Sequence, residues 1–392
     1  MNVMATKNAP WEVVAQMQFA GTQPEGKLVI GYGVASETGR YAAQIAKGPA
    51  LVVADPIVEK LGKLSEICQS LREAGFAYDV FSNVEPEPHL SSAAELVALV
   101  RSKSYGLVVG VGGGSALDTA KLAALMAVTD GCAEDVFKNP SLAGKTLPKI
   151  LISTTSGTGS EVSPYIVMTD DHGKKLFIGT GALYATVALV DPGMAQTMPP
   201  KVTAATGLDA LTHGIEGMTG ATTPYTLALG GKCAELVFAY LPRAVENGDD
   251  REARYYMAYA SVMGMMAYTQ GGGLYAHSMS YLLTVEKGLA HGAGCGLALP
   301  YTTAFTGDFA PEVNATLRKV LGTENVPGRL LELLGVVHMP QTLRQIGYER
   351  DQLERLAGSL IEAYYRPRNP RPMALENSIR LMQNMYQGSL DF

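Results

Sequence analysis

The chain has 392 residues, with 31 basic and 37 acidic side chains and a formal net charge of −6 at pH 7. One hydrophobic core rarely grows beyond about 250–300 residues, so this length predicts two domains. The acidic balance, without any basic block, argues against binding to nucleic acid or to an anionic membrane surface. No apolar run approaches the roughly 20 residues of a membrane-spanning helix. A small-molecule partner is therefore expected.

Cysteine usage and the first residues bear on the cellular compartment. The four cysteines, Cys68, Cys132, Cys233 and Cys295, form no Cys-x-x-Cys pair and no disulfide framework. Residues 1–11 lack the basic-then-apolar pattern of a secretory signal and the arginine-rich composition of a transit sequence. We therefore expect a cytoplasmic protein.

In the first half of the chain, short apolar β-branched runs alternate with helical patterns. The predicted strands are residues 27–31, 50–54, 77–81, 106–111, 149–153 and 187–190, and helical patterns include 58–74 and 93–102. Such alternation indicates parallel strands joined by crossover helices in a doubly wound α/β sheet. Sheets of this kind bind ligands at the carboxyl ends of their strands.

After Met198-Pro199-Pro200 the strand signals stop and long helical segments follow. We therefore predict two domains, an α/β domain over residues 1–200 and an all-helical domain over residues 201–392.

A glycine-rich turn follows the predicted strand 106–111, in the segment VVGVGGGSALDTAK. Three glycines lead into a helix, and Ser115 is suited to cap it. Glycines allow close backbone approach to a pyrophosphate, and a helix start favours negative charge. The spacing matches neither G-x-G-x-x-G nor a P-loop. It suggests dinucleotide binding, and a tight turn that only needs glycine is the alternative.

Two further features lie at strand ends of the predicted sheet. The loop STTSGTGSE, residues 153–161, offers hydroxyls and flexible glycines that could close over phosphate or nicotinamide, or could form a solvated turn. Asp55 ends the strand 50–54, where a carboxylate can bind the adenosine ribose and repel a 2′-phosphate. This favours NAD over NADP, with a helix N-cap as the alternative role of Asp55.

A pair of potential metal ligands lies in the segment GLDALTHGIEG. Asp209 and His213 are four residues apart in a helical pattern, so they share one face with Cβ atoms about 6 Å apart. That separation suits two ligands of one ion. The same spacing is also common on exposed helices that bind nothing.

Two of the six histidines, His277 and His291, lie in glycine-rich apolar segments. Fourteen residues of straight helix span about 21 Å, whereas ligands of one ion lie within about 4 Å of each other. If both bind, the chain must turn between them, and Glu286-Lys287-Gly288 is a suitable helix end. Three imidazoles and one carboxylate suit Fe(II), Zn(II), Mn(II) or Co(II), and the ligand set alone does not choose among them.

Taken together, GGGSALDTAK, TTSGTGSEV, MPPKVTAATGLDALTHGIEG and the pair His277/His291 closely resemble the iron-dependent (group III) alcohol dehydrogenase family over nearly the whole chain. The resemblance implies an N-terminal dinucleotide-binding α/β domain and an all-helical metal-binding domain, with metal and nicotinamide in the cleft between them. It also implies NAD and Fe(II), or another divalent ion such as Zn(II), as cofactors. A homodimer or larger homo-oligomer is implied as well.

The resemblance assigns roles to individual residues. Asp209, His213, His277 and His291 correspond to the metal ligands, and Asp55 corresponds to the ribose-binding acid. The pyrophosphate cradle corresponds to Gly112, Gly113, Gly114 and Ser115. Further cofactor contacts correspond to Asp118, Thr154, Thr155, Thr158 and Val162.

The chain departs from the family pattern at three places, which are Tyr281, Leu176 and the loop 366–371. Tyr281 stands where the family often has a second histidine that is thought to assist proton transfer. Tyr281 or bound water could relay the proton, and a buried tyrosine whose hydroxyl is simply hydrogen-bonded is the alternative. The second departure is Leu176 in place of a common lysine, with Lys175 adjacent, and it affects one ribose contact. The substrate pocket positions correspond to Tyr165 and Tyr268.

The loop 366–371 carries Arg366, Arg368 and Arg371, where relatives often have small residues. Guanidinium groups match carboxylates, sulfonates and phosphonates, so the substrate is predicted to be a small alcohol or aldehyde with an anionic head group. A solvated basic loop is the alternative.

The predicted activity is hydride transfer between NAD(H) and a small primary alcohol or aldehyde, with the metal as Lewis acid. A hydroxyacid–oxoacid transhydrogenase is a competing prediction, and so is a non-catalytic metal or nucleotide binder. Glycerol dehydrogenase and dehydroquinate synthase relatives share the architecture but use different metal ligands.

Overall fold

The computed structural model describes residues 15–19 and 26–392. The expectation drawn from residues 1–11 therefore lies outside the described residues. The described chain divides into two units. One comprises the residues up to Thr155 together with Gly159–Thr197, and the other comprises Ser156–Thr158 together with Met198–Phe392.

The first unit is built on a seven-stranded sheet. Its strands are β1 (Ala15–Phe19), β2 (Gly26–Ile30), β3 (Ala50–Ala54), β4 (Tyr78–Phe81), β5 (Leu107–Gly112), β6 (Lys149–Ser153) and β9 (Val187–Val190). They lie in the order β1-β2-β9-β6-β5-β3-β4. Six strands run parallel and β1 pairs antiparallel with β2 at one edge.

The helices of the first unit cover the sheet. They are α1 (Thr38–Ile45), α2 (Pro56–Lys60), α3 (Leu64–Glu73), α4 (Ala93–Ser102), α5 (Gly114–Met126) and α6 (Ala133–Lys138). Every residue of β3, β5, β6 and β9 is buried, as expected for parallel strands covered on both faces.

Two features of the first unit differ from the prediction. The helical pattern 58–74 is interrupted, because Gly62 takes a left-handed φ of 72° and ends α2 before α3 begins. In addition, β7 (Tyr165–Thr169) and β8 (Lys175–Gly179) form an antiparallel hairpin that the sequence reading did not predict.

The second unit is helical throughout its described elements. Its helices are α7 (Pro200–Gly220), α8 (Pro224–Glu246), α9 (Arg251–Gly271), α10 (Tyr275–Lys287), α11 (His291–Phe309), α12 (Pro311–Leu321), α13 (Val326–Val336), α14 (Leu353–Tyr364) and α15 (Leu375–Gln387). The predicted break is present, because α10 ends at Lys287 and Gly288 takes φ 63°.

The predicted fold class, a doubly wound parallel α/β unit followed by an all-α unit, is confirmed. The second unit has its own continuous core, in which side chains from α7 to α15 pack together. Among the described helices, none combines the length and apolarity needed to cross a membrane.

Candidate metal centre and cofactor loop

The second unit brings together the four predicted metal ligands. Nε2 of His213 lies 3.9 Å from Oδ1 of Asp209. The corresponding distances are 3.8 Å for His277 and 3.7 Å for His291. Ligand atoms about 2.1 Å from one ion lie roughly 3–4 Å from each other, so each of the three imidazoles lies at a distance from Asp209 at which the two can share a cation.

The chemistry of these donors fits a cation. Asp209 is 2% exposed and His277 is 1% exposed, and neither Asp209 Oδ1 nor His277 Nε2 has a hydrogen-bond partner. Leaving such atoms unpaired in a protein interior costs about 1–3 kcal/mol each. A divalent cation would satisfy both.

Hydrogen bonds orient two of the three imidazoles, those of His277 and His291. Nδ1 of His277 lies 2.7 Å from Oε2 of Glu216, and an ionised carboxylate can only accept, so Nδ1 carries the proton. The Ser280 hydroxyl donates to the His291 carbonyl at 2.6 Å and is therefore free to accept from His291 Nδ1 at 2.9 Å. Both rings then present the Nε2 lone pair toward Asp209, as metal ligation requires.

Glu216 was not among the predicted site residues. Its carboxylate accepts from the backbone of Leu274 at 2.7 Å and of Ala276 at 2.8 Å as well as from His277. The sequence does hold a signal for it, because Asp209, His213 and Glu216 follow one another at four and three residues along α7 and so share one helix face.

Close helix packing brings His291 to this face. A Cβ added to Gly292 would lie 2.1 Å from the Ala205 carbonyl oxygen and 3.0 Å from Asp209 Cβ. Since no side chain fits there, the start of α11 can rest directly on α7.

Electrostatics at the centre also favour a cation. Burial lowers the pKa of His213 well below its usual value and lowers that of His277 to about 4, so both imidazoles are neutral ligands at neutral pH. Burial and the Asp209 carboxylate raise the pKa of the nearby Cys295 thiol.

Two tyrosine rings pack against the imidazoles. The Tyr268 ring lies 4.7 Å from the His213 ring and 4.9 Å from the His277 ring, measured between centroids. Tyr281 stacks on His291 at 5.2 Å. Burial raises the pKa of Tyr281 to about 12, so its hydroxyl is protonated at neutral pH.

The structure separates the three arginines of the loop 366–371. Arg366 reaches the centre, where Nε donates to Ser278 at 3.0 Å and the guanidinium lies 5.7 Å from the Tyr281 ring. Arg368 is exposed and lies over Gly272. Arg371 pairs instead with Asp308 at 2.9 Å and with the Phe305 carbonyl.

Arg366 forms no salt bridge with a carboxylate of the described residues. It interacts electrostatically with Glu216, whose carboxylate is already engaged by His277 and two backbone N–H groups. Arg366 is therefore a half-buried cation that lacks a dedicated counter-ion, beside the partly exposed Tyr281 and His291.

The glycine-rich turn of the first unit lies between β5 and α5. Gly112 takes φ 155°, and a Cβ there would lie 2.6 Å from Ala116 Cβ and 2.9 Å from Asp55 Cβ. Gly113 is the N-cap of α5, and Gly114 is its first residue. The expectation that Ser115 caps the helix is wrong, because the helix begins one residue before it.

This turn retains the features of an anion site. No side chain caps the start of α5, which leaves the first N–H groups available to a phosphate. Thr155 lies beside Gly113, and its buried hydroxyl has no hydrogen-bond partner.

The other predicted cofactor residues have roles within the protein. Asp55 is the N-cap of α2 and accepts from Ile57 N at 2.8 Å. Asp118 accepts from Val167 N, the Ser160 hydroxyl and the Lys121 amine. Thr154 donates its backbone N–H to Gly112, and Val162 is buried in a short 3₁₀ turn.

Two predicted residues remain. Thr158 belongs to the segment Ser156–Thr158, which groups with the second unit. Tyr165 begins β7, where its ring packs 4.8 Å from Phe177. The cofactor and pocket roles of Asp55, Asp118, Thr154, Thr158, Val162 and Tyr165 stay predictions.

Comparison with known proteins decides the family. Residues 24–192 match the family model described as iron-containing alcohol dehydrogenase, and residues 203–386 match the C-terminal model of the same family. The long-chain-alcohol dehydrogenase 1 of Geobacillus thermodenitrificans is 35% identical over 367 residues, covering 90% of this chain and 92% of that protein. The chain belongs to the iron-containing alcohol dehydrogenase family.

Other members of this family resemble the chain along most of its length. The sulfoacetaldehyde reductase of Bilophila wadsworthia is 28% identical, covering 92% of this chain and 97% of that protein. The crystal structure of the sulfoacetaldehyde reductase of Bifidobacterium kashiwanohense in complex with NAD+ matches with a TM-score of 0.82 at 28% identity, covering 91% of this chain and 96% of that one. The prediction of an oxidoreductase of the iron-type alcohol dehydrogenase family is confirmed.

Proposed function

We propose that the chain transfers a hydride between NAD(H) and a small primary alcohol or aldehyde with an anionic head group, with one divalent cation at Asp209, His213, His277 and His291. The observation that carries the proposal is the convergence of three imidazole nitrogens on one Asp209 oxygen at 3.7–3.9 Å. Fe(II), Zn(II) or another divalent ion suits this donor set.

The bound groups would supply the electrophile and the hydride, since the cation polarises a carbonyl or alcohol oxygen and nicotinamide exchanges hydride. The chain's own residues would orient the metal-binding imidazoles and supply the proton to the substrate. Glu216 and Ser280 fix the two rings through Nδ1. We expect Tyr281, whose ring stacks on His291, to donate a hydrogen bond from its hydroxyl to the substrate oxygen and to relay the proton.

For cofactor binding, the uncapped start of α5 supports a pyrophosphate site. Asp55 lies directly beside Gly112, where its second carboxylate oxygen would accept from a ribose hydroxyl and repel a 2′-phosphate. The NAD+ bound by the sulfoacetaldehyde reductase of B. kashiwanohense supports NAD as the cofactor here.

Arg366 supports the anionic head group. A half-buried guanidinium without a dedicated carboxylate partner gains most from an anion that arrives with the substrate. Arg371 is already paired with Asp308, so it does not take this role. Two relatives named sulfoacetaldehyde reductases, whose substrate name denotes a two-carbon aldehyde with a sulfonate, support the same class.

The experiment is an NADH-oxidation assay on protein loaded separately with Fe(II) and Zn(II). Short aldehydes bearing a sulfonate or carboxylate are compared with neutral aldehydes of equal length. Because a hydrogen bond to a charged group contributes about 1.5–3 kcal/mol, Arg366→Met should lower kcat/KM for the anionic aldehydes about 10- to 100-fold more than for the neutral ones.

Arg371→Gln is the matched control, because it removes a guanidinium from the same loop that is already paired. It should preserve the preference for anionic aldehydes. Turnover of neutral aldehydes without any anion preference would refute the head group and leave hydride transfer standing. No NADH oxidation with any aldehyde by the metal-loaded protein would refute the activity itself.

Two further proposals concern the setting of the enzyme. All four cysteines are free thiols, which supports a reducing compartment such as the cytoplasm. A homodimer or larger homo-oligomer, as the family resemblance implies, would be tested by sedimentation equilibrium.

A further inference from the structure

A cysteine lies at the metal centre, outside the four-ligand set. Cys295 Sγ lies 3.6 Å from His291 Nε2, the same atom that lies 3.7 Å from Asp209 Oδ1. Ligand atoms of Cys295, Asp209, His277 and His291 all lie within 4.8 Å of one another. Sulfur and nitrogen ligands of one ion, at about 2.3 and 2.1 Å from it, are separated by a similar distance.

The local sequence of α11 positions the Cys295 sulfur beside the metal centre. Cys295 follows His291 by four residues in the first turns of α11, so both side chains point to the same side. A Cβ on Gly294 would lie 2.8 Å from Ser280 Oγ, and one on Gly296 would lie 2.7 Å from Leu208 Cδ1. The two glycines that flank Cys295 thus let α11 press its sulfur against α10 and α7.

Cys295 borders a buried space that is lined by polar atoms without hydrogen-bond partners. Cys295 is fully buried, and the neighbouring Asp209 Oδ1 and His277 Nε2 are buried atoms without hydrogen-bond partners. These atoms show that the space they face is built for a cation, and the sulfur borders the same space.

We propose that Cys295 provides a fifth, thiolate ligand to the cation held by Asp209, His213, His277 and His291. On binding, the S–H bond of Cys295 breaks, a sulfur–metal bond forms, and the proton leaves to solvent; no electron is transferred. A soft thiolate makes the centre favour Zn(II) and Co(II) over Mn(II).

This inference rests on the metal centre of the proposed function, but its test does not depend on catalysis. The alternative is that the thiol only donates a hydrogen bond, either to His291 Nε2 at 3.6 Å or to Asp209, with which it interacts electrostatically. A serine at position 295 preserves such a hydrogen bond but removes the sulfur, so Cys295→Ser separates the two.

The experiment is the absorption spectrum of the full-length protein loaded with Co(II), together with zinc K-edge X-ray absorption. The proposal expects a sulfur-to-cobalt charge-transfer band in the near ultraviolet and a sulfur shell at about 2.3 Å. Both should disappear in Cys295→Ser, while visible d–d bands show that Co(II) still binds. Both should remain in the control Cys233→Ser, whose buried thiol donates to the Ala210 carbonyl instead.

Affinity provides a second readout. Since loss of a residue that merely supports a ligand already costs about 10- to 100-fold in metal affinity, Cys295→Ser should lose at least tenfold for Zn(II) and less for Mn(II). Bound Co(II) without the charge-transfer band in the wild type, or a band that persists in Cys295→Ser, would overturn the proposal and leave the four-ligand centre intact. Failure of the wild type to bind Co(II) at all would overturn the centre and the fifth ligand together.

Discussion

Replacing Glu216 with glutamine tests how the protein orients His277. The carboxylate accepts three hydrogen bonds, from Leu274 N and His277 Nδ1 on Oε2 and from Ala276 N on Oε1. A glutamine has one acceptor oxygen, so its amide N–H₂ must face either Leu274 N and His277 Nδ1 together or Ala276 N. If it faces His277, that ring has to carry its proton on Nε2 and can no longer bind a cation.

The other amide orientation leaves the His277 proton on Nδ1, but it makes the amide N–H₂ face the Ala276 N–H. A buried unsatisfied donor costs about 1–3 kcal/mol, so Glu216→Gln should lower the free energy of unfolding of the metal-free protein by that amount. Metal affinity should fall about 10- to 100-fold, as for other changes to a residue that supports a ligand.

The assay is Zn(II) titration against a chelator, with urea unfolding of the metal-free protein. Burial raises the pKa of Glu216 to about 7, so the measurement is made above that pH, where the wild-type group is ionised. Glu286→Gln is the control, because Glu286 lies near the end of α10 and pairs with Arg355 and Tyr348. It should leave metal affinity unchanged. A Glu216→Gln protein that binds Zn(II) as tightly as wild type would refute the reasoning.

Three further predictions follow from packing, burial and the site. Gly292→Ala should destabilise the protein by about 1–3 kcal/mol through overpacking against Ala205, and it should weaken metal binding. Gly358→Ala is the control, because a Cβ there meets no atom within 4 Å; it should be neutral or stabilising in the same urea titration. Burial lowers the pKa of Lys149 to about 7, so between about pH 7 and 10 only the unfolded chain binds that proton, and stability should rise with pH. Lys149→Met should flatten this rise of the unfolding free energy with pH, as measured by urea unfolding. An unchanged slope would show that Lys149 is not the group responsible. Tyr281→Phe should lower kcat with little change in metal content, and Tyr281→His should restore part of the lost kcat. Equal kcat of Tyr281→Phe and wild type would mean that water, not Tyr281, transfers the proton.

Much of the first unit could be predicted from the sequence, because its buried strands are short β-branched runs between clear breaks. The bounds of β3, β6 and β9 agree with the predicted ones. The hairpin β7–β8 was missed although its signal was present, since two five-residue apolar segments flank the polar turn that contains Gly173. The break at Gly62 was also readable, as a glycine inside a helical pattern.

At the metal centre, spacing and the family resemblance were enough to nominate the four residues that the structure brings together. They could not reveal Ser280, whose contacts depend on how closely α11 approaches α10. Cys295 follows His291 by four residues on one face of α11, so its signal was present in the spacing but was missed. Nor could spacing and resemblance distinguish Arg366 from Arg371, because one guanidinium meets Ser278 on α10 and the other meets Asp308 on α11. Such contacts join residues 63 to 88 positions apart, which no local pattern encodes.

The most direct test of the metal centre is an anomalous difference map of the metal-loaded crystal, recorded at the absorption edge of the bound metal. The account predicts one peak about 2.1 Å from Asp209 Oδ1 and from Nε2 of His213, His277 and His291. A peak of the fully loaded protein that lies away from these four atoms would contradict it.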